Sequence, residues 1–213
     1  LILNFSEAPP ILVLKPQTIS SNIMGTTNIL EALKVSNHKC VAIIITSDKA
    51  YDNVEQVWGY KEDDKIGGKD IYSGSKGAAE LVINSYYQSF FKTDNCKVKL
   101  AIARAGNVIG GGDWSKDRIV VDCFEAWSKG RVVEIRAPNA TRPWQHVLEP
   151  LHGYLTLSAE LLENSSLNGE AFNFGPSKEQ NHTVEKLLID LSRYWNFKSP
   201  DVPYKIKENI PFY

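Results

Sequence analysis

The segment AIIITSDKAY, residues 42–51, joins a run of apolar residues to a run of polar ones. Three consecutive isoleucines are followed at once by Thr46, Ser47, Asp48 and Lys49. A strand that is apolar on both faces is typical of a parallel sheet covered by helices on both sides. Ligands of open parallel sheets bind beyond the carboxyl ends of the strands. The segment therefore predicts a buried parallel strand that ends at a ligand site.

Strand-like and helical patterns alternate along the rest of the chain. A second strand, VKLAIAR, leads into a polar loop with the sequence NVIGGGDW. The helix after this loop is predicted to end at Gly130, and the last helix is predicted to begin after Thr183. Strands that alternate with helices of this length predict βαβ units and therefore an α/β fold with a parallel sheet. The ends of neighbouring parallel strands lie at one edge of the sheet, so the two polar loops predict a single site.

Composition excludes several classes of function. The chain has 213 residues, 43% of them hydrophobic, which is enough for one large domain or two small ones. Its formal net charge of -1 predicts no general attraction to polyanions, so neither nucleic acid nor a membrane is an expected partner. The three cysteines are odd in number and widely spaced. They predict reduced thiols in a cytoplasm, with no disulfide framework and no metal site.

Tyr72 and Lys76, in the sequence YSGSK, form the next candidate pair. One helical turn brings the two side chains onto one face, and an ammonium beside a phenol favours the phenolate, which makes the tyrosine a usable base. Chance alone gives about one pair at this spacing in such a chain. A second pair, Tyr194 and Lys198, has no polar loop before it. Only the first pair follows a polar strand end and opens a helix of small residues, which predicts function.

Each of these features also has a simpler interpretation. Ser47 or Asp48 alone is explained as the cap of a helix, and Lys49 as a surface side chain. That interpretation does not explain why all three occur with Tyr72 in the order a catalytic site needs. The three glycines of residues 110–112 do not form a phosphate loop, because no basic or hydroxyl residue of that kind follows and Asp113 repels phosphate.

Six strings of sequence carry a resemblance to a known family. In order, they are TSDKAY, WGYKEDD, YSGSK, ARAGNVIGGGDW, DRIV and RPWQHVLEPL. Together they resemble the CDP-glucose 4,6-dehydratases of the extended short-chain dehydrogenase/reductase superfamily, from about Thr18 to Tyr213. YxxxK alone identifies the superfamily, whereas NVIGGGDW and RPWQHVLEPL are specific to the subfamily.

The resemblance implies a Rossmann-like parallel sheet flanked by helices, with a smaller substrate lobe. Residues 1–107 are predicted to form an incomplete NAD-binding core. Residues 108–213 are predicted to form mainly a lobe that binds the nucleotide-sugar, with about 146–174 returning to the core. The implied cofactor is NAD, the implied substrate is CDP-glucose, and the full-length form is implied to be a homo-oligomer.

The resemblance also assigns catalytic roles. Tyr72 takes the proton from the sugar 4-hydroxyl during oxidation by NAD, and Lys76 holds the nicotinamide ribose and lowers the pKa of Tyr72. Ser47 hydrogen-bonds the 4-hydroxyl, and Asp48 protonates the departing 6-hydroxyl. Lys49 stands where related dTDP-glucose dehydratases carry a glutamate base, so the group that removes the C5 proton stays open.

Binding roles follow in the same way. Asn22 matches the structural asparagine behind the catalytic lysine, and Thr46 is predicted to contact the cofactor. Asn107, Arg118 and Arg142 match positions that face the diphosphate or the sugar, where a guanidinium group suits phosphate oxygens. Arg118 is equally explained as a solvated surface side chain.

The sequence also departs from the family. It contains no G-x-G-x-x-G, the loop whose amide groups hold the pyrophosphate of NAD. By comparison of motif positions, the chain is expected to be a fragment that lacks roughly the first 80 residues and the C-terminal end. Three interpretations therefore compete: a dehydratase complete only at full length, an epimerase or other sugar dehydratase of the superfamily, and a non-catalytic remnant. Asp48 discriminates between the enzymes, because an epimerase has no water to expel.

Overall fold

A computed structural model describes residues 2–4, 15–115, 118–195 and 204–207. Its strands are β1 (Ile2–Asn4), β2 (Cys40–Ile45), β3 (Val98–Ala105), β4 (Val108–Ile109), β5 (Val133–Ile135), β6 (Thr141–Arg142), β7 (Gln145–His146), β8 (Ala171–Phe174), β9 (His182–Thr183) and β10 (Tyr204–Ile206). Its α-helices are α1 (Lys15–Ile19), α2 (Gly25–Lys34), α3 (Ile71–Tyr86), α4 (Ile119–Ser128), α5 (Leu148–Glu163) and α6 (Val184–Tyr194). The chain divides into two units: Leu1–Gly106 with Leu148–Gly175, and Asn107–Val147 with Pro176–Tyr213.

The first unit is built on a parallel sheet with the strand order β1-β2-β3-β8. Every neighbouring pair in it is parallel, with Ile43 opposite Ala101 and Ile44 opposite Ile102. Each crossover between parallel strands contains a helix, as the geometry of parallel pairing requires. The alternation of strands and helices in the sequence therefore predicted the sheet type correctly.

Both faces of this sheet are covered by apolar side chains. Ile44 packs with Leu30 of α2 and Ile83 of α3 on one face, and Ile43 packs with Leu161 of α5 on the other. Successive residues of a strand point to opposite faces, so an uninterrupted apolar run is what a doubly covered strand needs. The prediction of a strand buried on both sides is thus confirmed.

The second unit contains short strands in three pairs. β4 pairs with β7 and β5 with β10, both in parallel, while β6 pairs with β9 in antiparallel fashion. A small core gathers under α4 and α6, where Cys123, Trp127 and Leu188 are buried. As predicted, Thr183 caps α6, with its hydroxyl accepting a hydrogen bond from the backbone N–H of Lys186 at 3.1 Å.

Two predictions about loops need correction. Strand β4 lies within NVIGGGDW, which is therefore not loop throughout, and only the two central residues of RPWQ lie outside strands, because Arg142 ends β6 and Gln145 begins β7. Strands β4, β6 and β7 are each only two residues long, and the strands with which they pair lie far away in sequence. Local patterns cannot reveal such pairings, because two residues are too few to show an alternation.

The ends of helices α2 and α3 are also defined by backbone geometry. A π-helical turn, Ser20–Met24, leads into α2, and another, Tyr87–Phe91, follows α3. Gly130 follows α4 with φ of 65°, the left-handed conformation that commonly ends a helix, as its position predicted. Within the described residues, no helix has the length and apolar character needed to cross a membrane.

Candidate functional site

The loop after β2 contains Ser47, Asp48 and Lys49. The Ser47 hydroxyl donates to Asp48 Oδ1 at 3.0 Å and accepts from the backbone N–H of Lys49 at 3.2 Å. Ser47 thereby caps a short 3₁₀ turn, Asp48–Ala50, and the Lys49 side chain is exposed. The simple capping role is therefore real. It also fixes the serine hydroxyl and a carboxylate side by side at the carboxyl end of a parallel strand.

Thr46 precedes this turn and is buried. Its hydroxyl donates to Glu80 Oε1 at 2.5 Å, and its backbone N–H donates to the carbonyl of Ala103 at 2.8 Å. Since the hydroxyl proton is directed to the carboxylate, Thr46 has only its oxygen lone pairs left for another group. Its predicted contact with a cofactor is therefore limited to accepting a hydrogen bond.

Tyr72 and Lys76 lie in the first turns of α3. Asp70 caps this helix, with Oδ1 accepting from the backbone N–H of Ser73 at 3.0 Å and Oδ2 accepting from its hydroxyl at 2.6 Å. The Lys76 ammonium lies 5.9 Å from the centre of the Tyr72 ring. The predicted pair therefore shares one face of the helix. At this distance the cation favours negative charge on the phenol oxygen.

Lys76 is almost completely buried, with only 2% of its surface exposed. Burial lowers the pKa of Lys76 to about 8, and the Glu80 carboxylate opposes that effect. A buried lysine in a polar strand-end site matches the pattern of functional groups whose pKa is strongly perturbed. Lys76 is thus mostly charged at neutral pH, and the groups around it determine how much of that charge is kept.

Small residues bring the loop before α3 into close contact with the helix. A methyl group added at Gly77 would lie 2.6 Å from the carbonyl oxygen of Gly67 and 2.9 Å from Cγ2 of Ile66. Such distances are too short for any side chain, so the helix needs glycine here. The small residues of this helix were predicted to allow close backbone approach, and Gly77 confirms it.

Asn22 lies in the π-helical turn before α2 and is 1% exposed. Its amide group donates to the Ser75 hydroxyl at 2.9 Å, and that hydroxyl donates to the carbonyl of Tyr72 at 2.7 Å. The Asn22 Oδ1 atom is buried without a hydrogen-bond partner among the described residues. The structure therefore connects Asn22 to the backbone of the Tyr72 turn.

Sequence reasoning missed a buried ion pair next to these residues. Arg104, at the end of β3, binds Glu80 of α3 through Nε at 3.0 Å to both carboxylate oxygens and through Nη2 at 2.6 Å. Glu80 lies one helical turn after Lys76, and the same carboxylate accepts the Thr46 hydroxyl. One acidic side chain therefore connects two strand ends to the helix of the candidate site.

The ion pair extends through Tyr51 to β8. Arg104 Nη1 donates to the Tyr51 hydroxyl at 2.7 Å, and that hydroxyl donates to Asn173 Oδ1 at 2.7 Å. Arg104 also donates to the carbonyl of Glu62, and the Asn173 amide donates to the carbonyl of Tyr60. The long loop between the 3₁₀ turn and α3 is therefore hydrogen-bonded to the ends of β3 and β8.

A sequence signal for this network existed in Arg104. A charged residue at the end of an otherwise apolar strand needs a partner when it is buried. The partner itself could not be identified, because Glu80 is 24 residues away and many acidic residues compete for the role. Asn173 carries no comparable signal.

The predicted substrate residues lie in the second unit. Asn107 accepts a hydrogen bond from the backbone N–H of Gln145 at its own carbonyl, and Arg142 donates to the carbonyl of Thr141 at 2.7 Å. Arg118 lies 3.5 Å from the Asp113 carboxylate, with both side chains about half exposed. Arg118 is thus a solvated side chain paired with the acid that was expected to repel phosphate. The predicted contacts of all three residues with a nucleotide-sugar stay predictions.

Residues 13–175 match the model of the NAD dependent epimerase/dehydratase family. A CDP-glucose 4,6-dehydratase of Salmonella typhimurium is 48% identical over 183 residues, which cover 84% of this chain and 51% of that protein. A CDP-paratose 2-epimerase of Salmonella typhi is 25% identical over 199 residues, which cover 82% of this chain and 56% of that protein. The chain therefore spans about half the length of these curated relatives.

Solved structures of similar fold come from the same group of enzymes. A dTDP-glucose 4,6-dehydratase from Bacillus anthracis, in complex with NAD, has a TM-score of 0.71 and 18% identity over 90% of this chain and 57% of that one. A UDP-glucuronic acid 4-epimerase from Bacillus cereus, in complex with UDP-glucuronic acid and NAD, has a TM-score of 0.74 and 18% identity, covering 91% and 56%. These likenesses confirm the predicted fold class.

Proposed function

Because this chain belongs to the NAD dependent epimerase/dehydratase family, we propose that it is part of a CDP-glucose 4,6-dehydratase. That enzyme converts CDP-glucose to CDP-4-dehydro-6-deoxyglucose and water. The observation that carries the proposal is the buried Lys76 ammonium 5.9 Å from the Tyr72 ring, in the same unit as the Ser47–Asp48 pair. The 48% identity to a dehydratase that uses CDP-glucose supports the choice of substrate.

The described residues fit one end of a bound NAD. The Lys76 ammonium and the Tyr72 phenol would hold the nicotinamide ribose, and Asn22 supports their helical turn through Ser75. When bound, NAD supplies a reversible two-electron oxidant for the sugar. The glycine loop that holds a pyrophosphate does not occur in this sequence. In our proposal, the parent protein contributes that loop from outside this chain.

This division of the cofactor site leads to the first testable prediction. We expect the 213-residue chain, produced alone, to retain no NAD, because it lacks the glycine loop that binds the pyrophosphate of the cofactor. The purified chain is denatured, and the nicotinamide released is measured. A stoichiometric amount of released nicotinamide would contradict the prediction.

Each step of the reaction has a candidate residue in the first unit. Tyr72 accepts the proton of the sugar 4-hydroxyl, because the neighbouring ammonium stabilises the phenolate. Ser47 orients that hydroxyl. Asp48 delivers a proton to the 6-hydroxyl, because hydroxide leaves C6 slowly unless it departs as water. Lys49 is exposed in the same turn and is a candidate for removal of the C5 proton.

The second prediction separates the two chemical stages. In the parent protein, Asp48→Asn keeps the size and hydrogen bonding of the side chain but removes a usable acid. We expect the variant still to reduce NAD with CDP-glucose in a single turnover while it loses release of the 4-keto-6-deoxy product. The absorbance of NADH and the mass of the sugar nucleotide are followed together.

The same measurement distinguishes the competing functions. In our proposal, the unchanged parent protein yields a sugar nucleotide that has lost one water. An isomer of unchanged mass would identify an epimerase, and no conversion at all would identify a non-catalytic remnant. If Asp48→Asn reduces NADH formation and product release by the same large factor, Asp48 acts in positioning or in the first stage.

The partner and the location follow from the same assignment. We infer that the parent protein binds a nucleotide-sugar through Asn107, Arg118 and Arg142, forms a homo-oligomer and acts in the cytoplasm. The three cysteines form no disulfide, and burial raises the pKa of Cys123 to about 12. Reduced thiols suit a reducing compartment.

A further inference from the structure

Glu80 has the most connected carboxylate of the first unit among the described residues. It is 3% exposed, and its two oxygens accept hydrogen bonds from the Arg104 guanidinium and from the Thr46 hydroxyl. Burying a carboxylate is costly unless its lone pairs are satisfied, and these contacts satisfy them. The pairing explains why the carboxylate is tolerated there. It leaves open why an acid should lie one turn from a buried lysine.

The helix places Glu80 next to Lys76. Residues four apart on a helix are neighbours, and an acid and a base at that spacing attract each other. Lys76 is itself buried, so its ammonium has lost much of the hydration that keeps it charged. The carboxylate opposes this loss and holds the pKa of Lys76 above the value that burial alone would give.

We propose that Glu80 is a positioning residue for Lys76 and for the loop that begins at Thr46. Its carboxylate keeps the lysine ammonium charged, and Arg104 fixes where that carboxylate lies. The inference rests on the proposed role of Lys76 beside Tyr72. It extends the catalytic pair to a buried relay from Arg104 through Glu80 to Lys76.

Other charged groups around the lysine are few. The 3₁₀ turn packed against α3 carries Asp48 and Lys49, both at least partly exposed to solvent. Residues 16–30, which include the π-helical turn and the start of α2, contain no charged residue. Glu31 and Lys34 contact the far end of the helix pair at Tyr86 and Phe90. Glu80 is therefore the carboxylate with the greatest influence on the Lys76 charge.

The consequence concerns catalysis near neutral pH. With a pKa of about 8, Lys76 is mostly charged at pH 7. A fall of one unit in the pKa of Lys76 would leave, at pH 7, only about half of the molecules with the charge that favours the Tyr72 phenolate. Glu80 thus acts on the reaction through Lys76, without contact with the sugar.

The test is a titration of Lys76 in the purified chain without NAD or sugar. The chain is isotope-labelled at the lysine Cε atoms, and the Lys76 signal is identified by its loss in Lys76→Met. We expect the titration midpoint to fall by about one pH unit or more in Glu80→Gln. Glu80→Asp, which keeps the charge, should restore most of the shift.

Two further variants protect the test against simple loss of structure. Glu80→Gln combined with Arg104→Met removes both buried charges, so no unpaired ion is left, and a smaller fall is expected, because loss of the Arg104 charge itself favours the Lys76 ammonium. Tyr51→Phe removes a hydrogen bond of Arg104 without changing charge, and its midpoint should equal that of the parent chain. A Lys76 midpoint that stays at the parent value in Glu80→Gln overturns the inference.

The two proposals fail separately. The titration needs neither cofactor nor substrate, so its result stands whether or not the parent protein dehydrates CDP-glucose. If the titration shifts but no sugar nucleotide is converted, the relay exists and the proposed function is wrong. If conversion occurs but the midpoint is unmoved, Glu80 serves only the packing of Arg104.

Discussion

Two ion pairs, one from each unit of the chain, lie in opposite environments. In the first unit, Arg104 and Glu80 are 5% and 3% exposed and lie between strand ends and a helix. In the second unit, Lys186 and Asp190 lie on one face of α6 with side chains 49% and 39% exposed. Solvent screens the second pair, whereas the first is held in a medium that screens little. The electrostatic attraction within the buried pair of the first unit is therefore much stronger than that within the exposed pair of the second.

The same contrast separates one predicted catalytic residue, Lys76, from one predicted substrate residue, Arg118. Lys76 is buried among other elements of the first unit, and its position is fixed by α3. Arg118 is about half exposed and sits before α4 with a surface carboxylate as its partner. A rigid, buried group suits chemistry that needs exact placement, and an exposed one suits contact with a variable ligand. Three predictions test this contrast.

The largest effect is expected for Tyr72→Phe in the parent protein. The phenol is the proposed proton acceptor, and loss of a general base lowers the rate by about 10²–10⁴-fold. Turnover of CDP-glucose is the measurement. Tyr194→Phe is the matched control, because Tyr194 lies in the second unit and is 92% exposed. Turnover of the Tyr72 variant within about tenfold of the parent would exclude Tyr72 as that base.

The next effect concerns stability. Arg104→Met leaves Glu80 buried without its ionic partner, which costs about 3–5 kcal/mol of the free energy of unfolding. Urea denaturation followed by circular dichroism is the measurement. Lys186→Met breaks the exposed pair of the second unit, and we expect its urea midpoint to equal that of the parent. Equal losses in the two variants would show that burial does not distinguish the pairs.

The smallest effect depends on pH and concerns Lys76→Met. The folded pKa of Lys76, about 8, lies below its ordinary value of 10.5, so the unfolded chain binds more protons between these two values. Stability therefore rises as pH increases from about 8 to 10.5, and below pH 8 burial of the ammonium carries its full cost. We expect the variant to be up to about 3 kcal/mol more stable at pH 7.

The control for this prediction is the pH profile itself. The advantage of Lys76→Met should shrink as pH rises above 8 and approach zero well above 10.5, where the parent lysine is neutral in both states. Thermal unfolding at a series of pH values provides the profile. An advantage that does not change with pH would show that packing, and not the ammonium charge, accounts for it.

Much of the structure of the first unit could be predicted from the sequence. The isoleucines at 43 and 44 pack on opposite faces of the sheet, as an uninterrupted apolar strand requires. Tyr72 and Lys76 share a helical face because their spacing fixes it locally. The strings around them also predicted the family, which the match over residues 13–175 confirms.

The buried hydrogen-bond network around Arg104 could not be predicted from the sequence in the same way. Arg104, Glu80 and Asn173 come from a strand, a helix and another strand, and their hydrogen bonds link residues far apart in sequence. The paired strands β4 and β7 are equally hidden, because each has only two residues. Neither feature leaves a periodic signal.

The sequence alone determined the alternation of strands and helices, the doubly covered sheet and the spacing of the candidate catalytic pair. These features depend on the periodicity of a helix or strand, which is local and repeats along the chain. Only the tertiary structure decided that the acid meeting Arg104 is Glu80, the acid that helical spacing already places beside Lys76. Those contacts depend on how separate elements pack, and a buried charge accepts whichever partner the packing brings within hydrogen-bond distance.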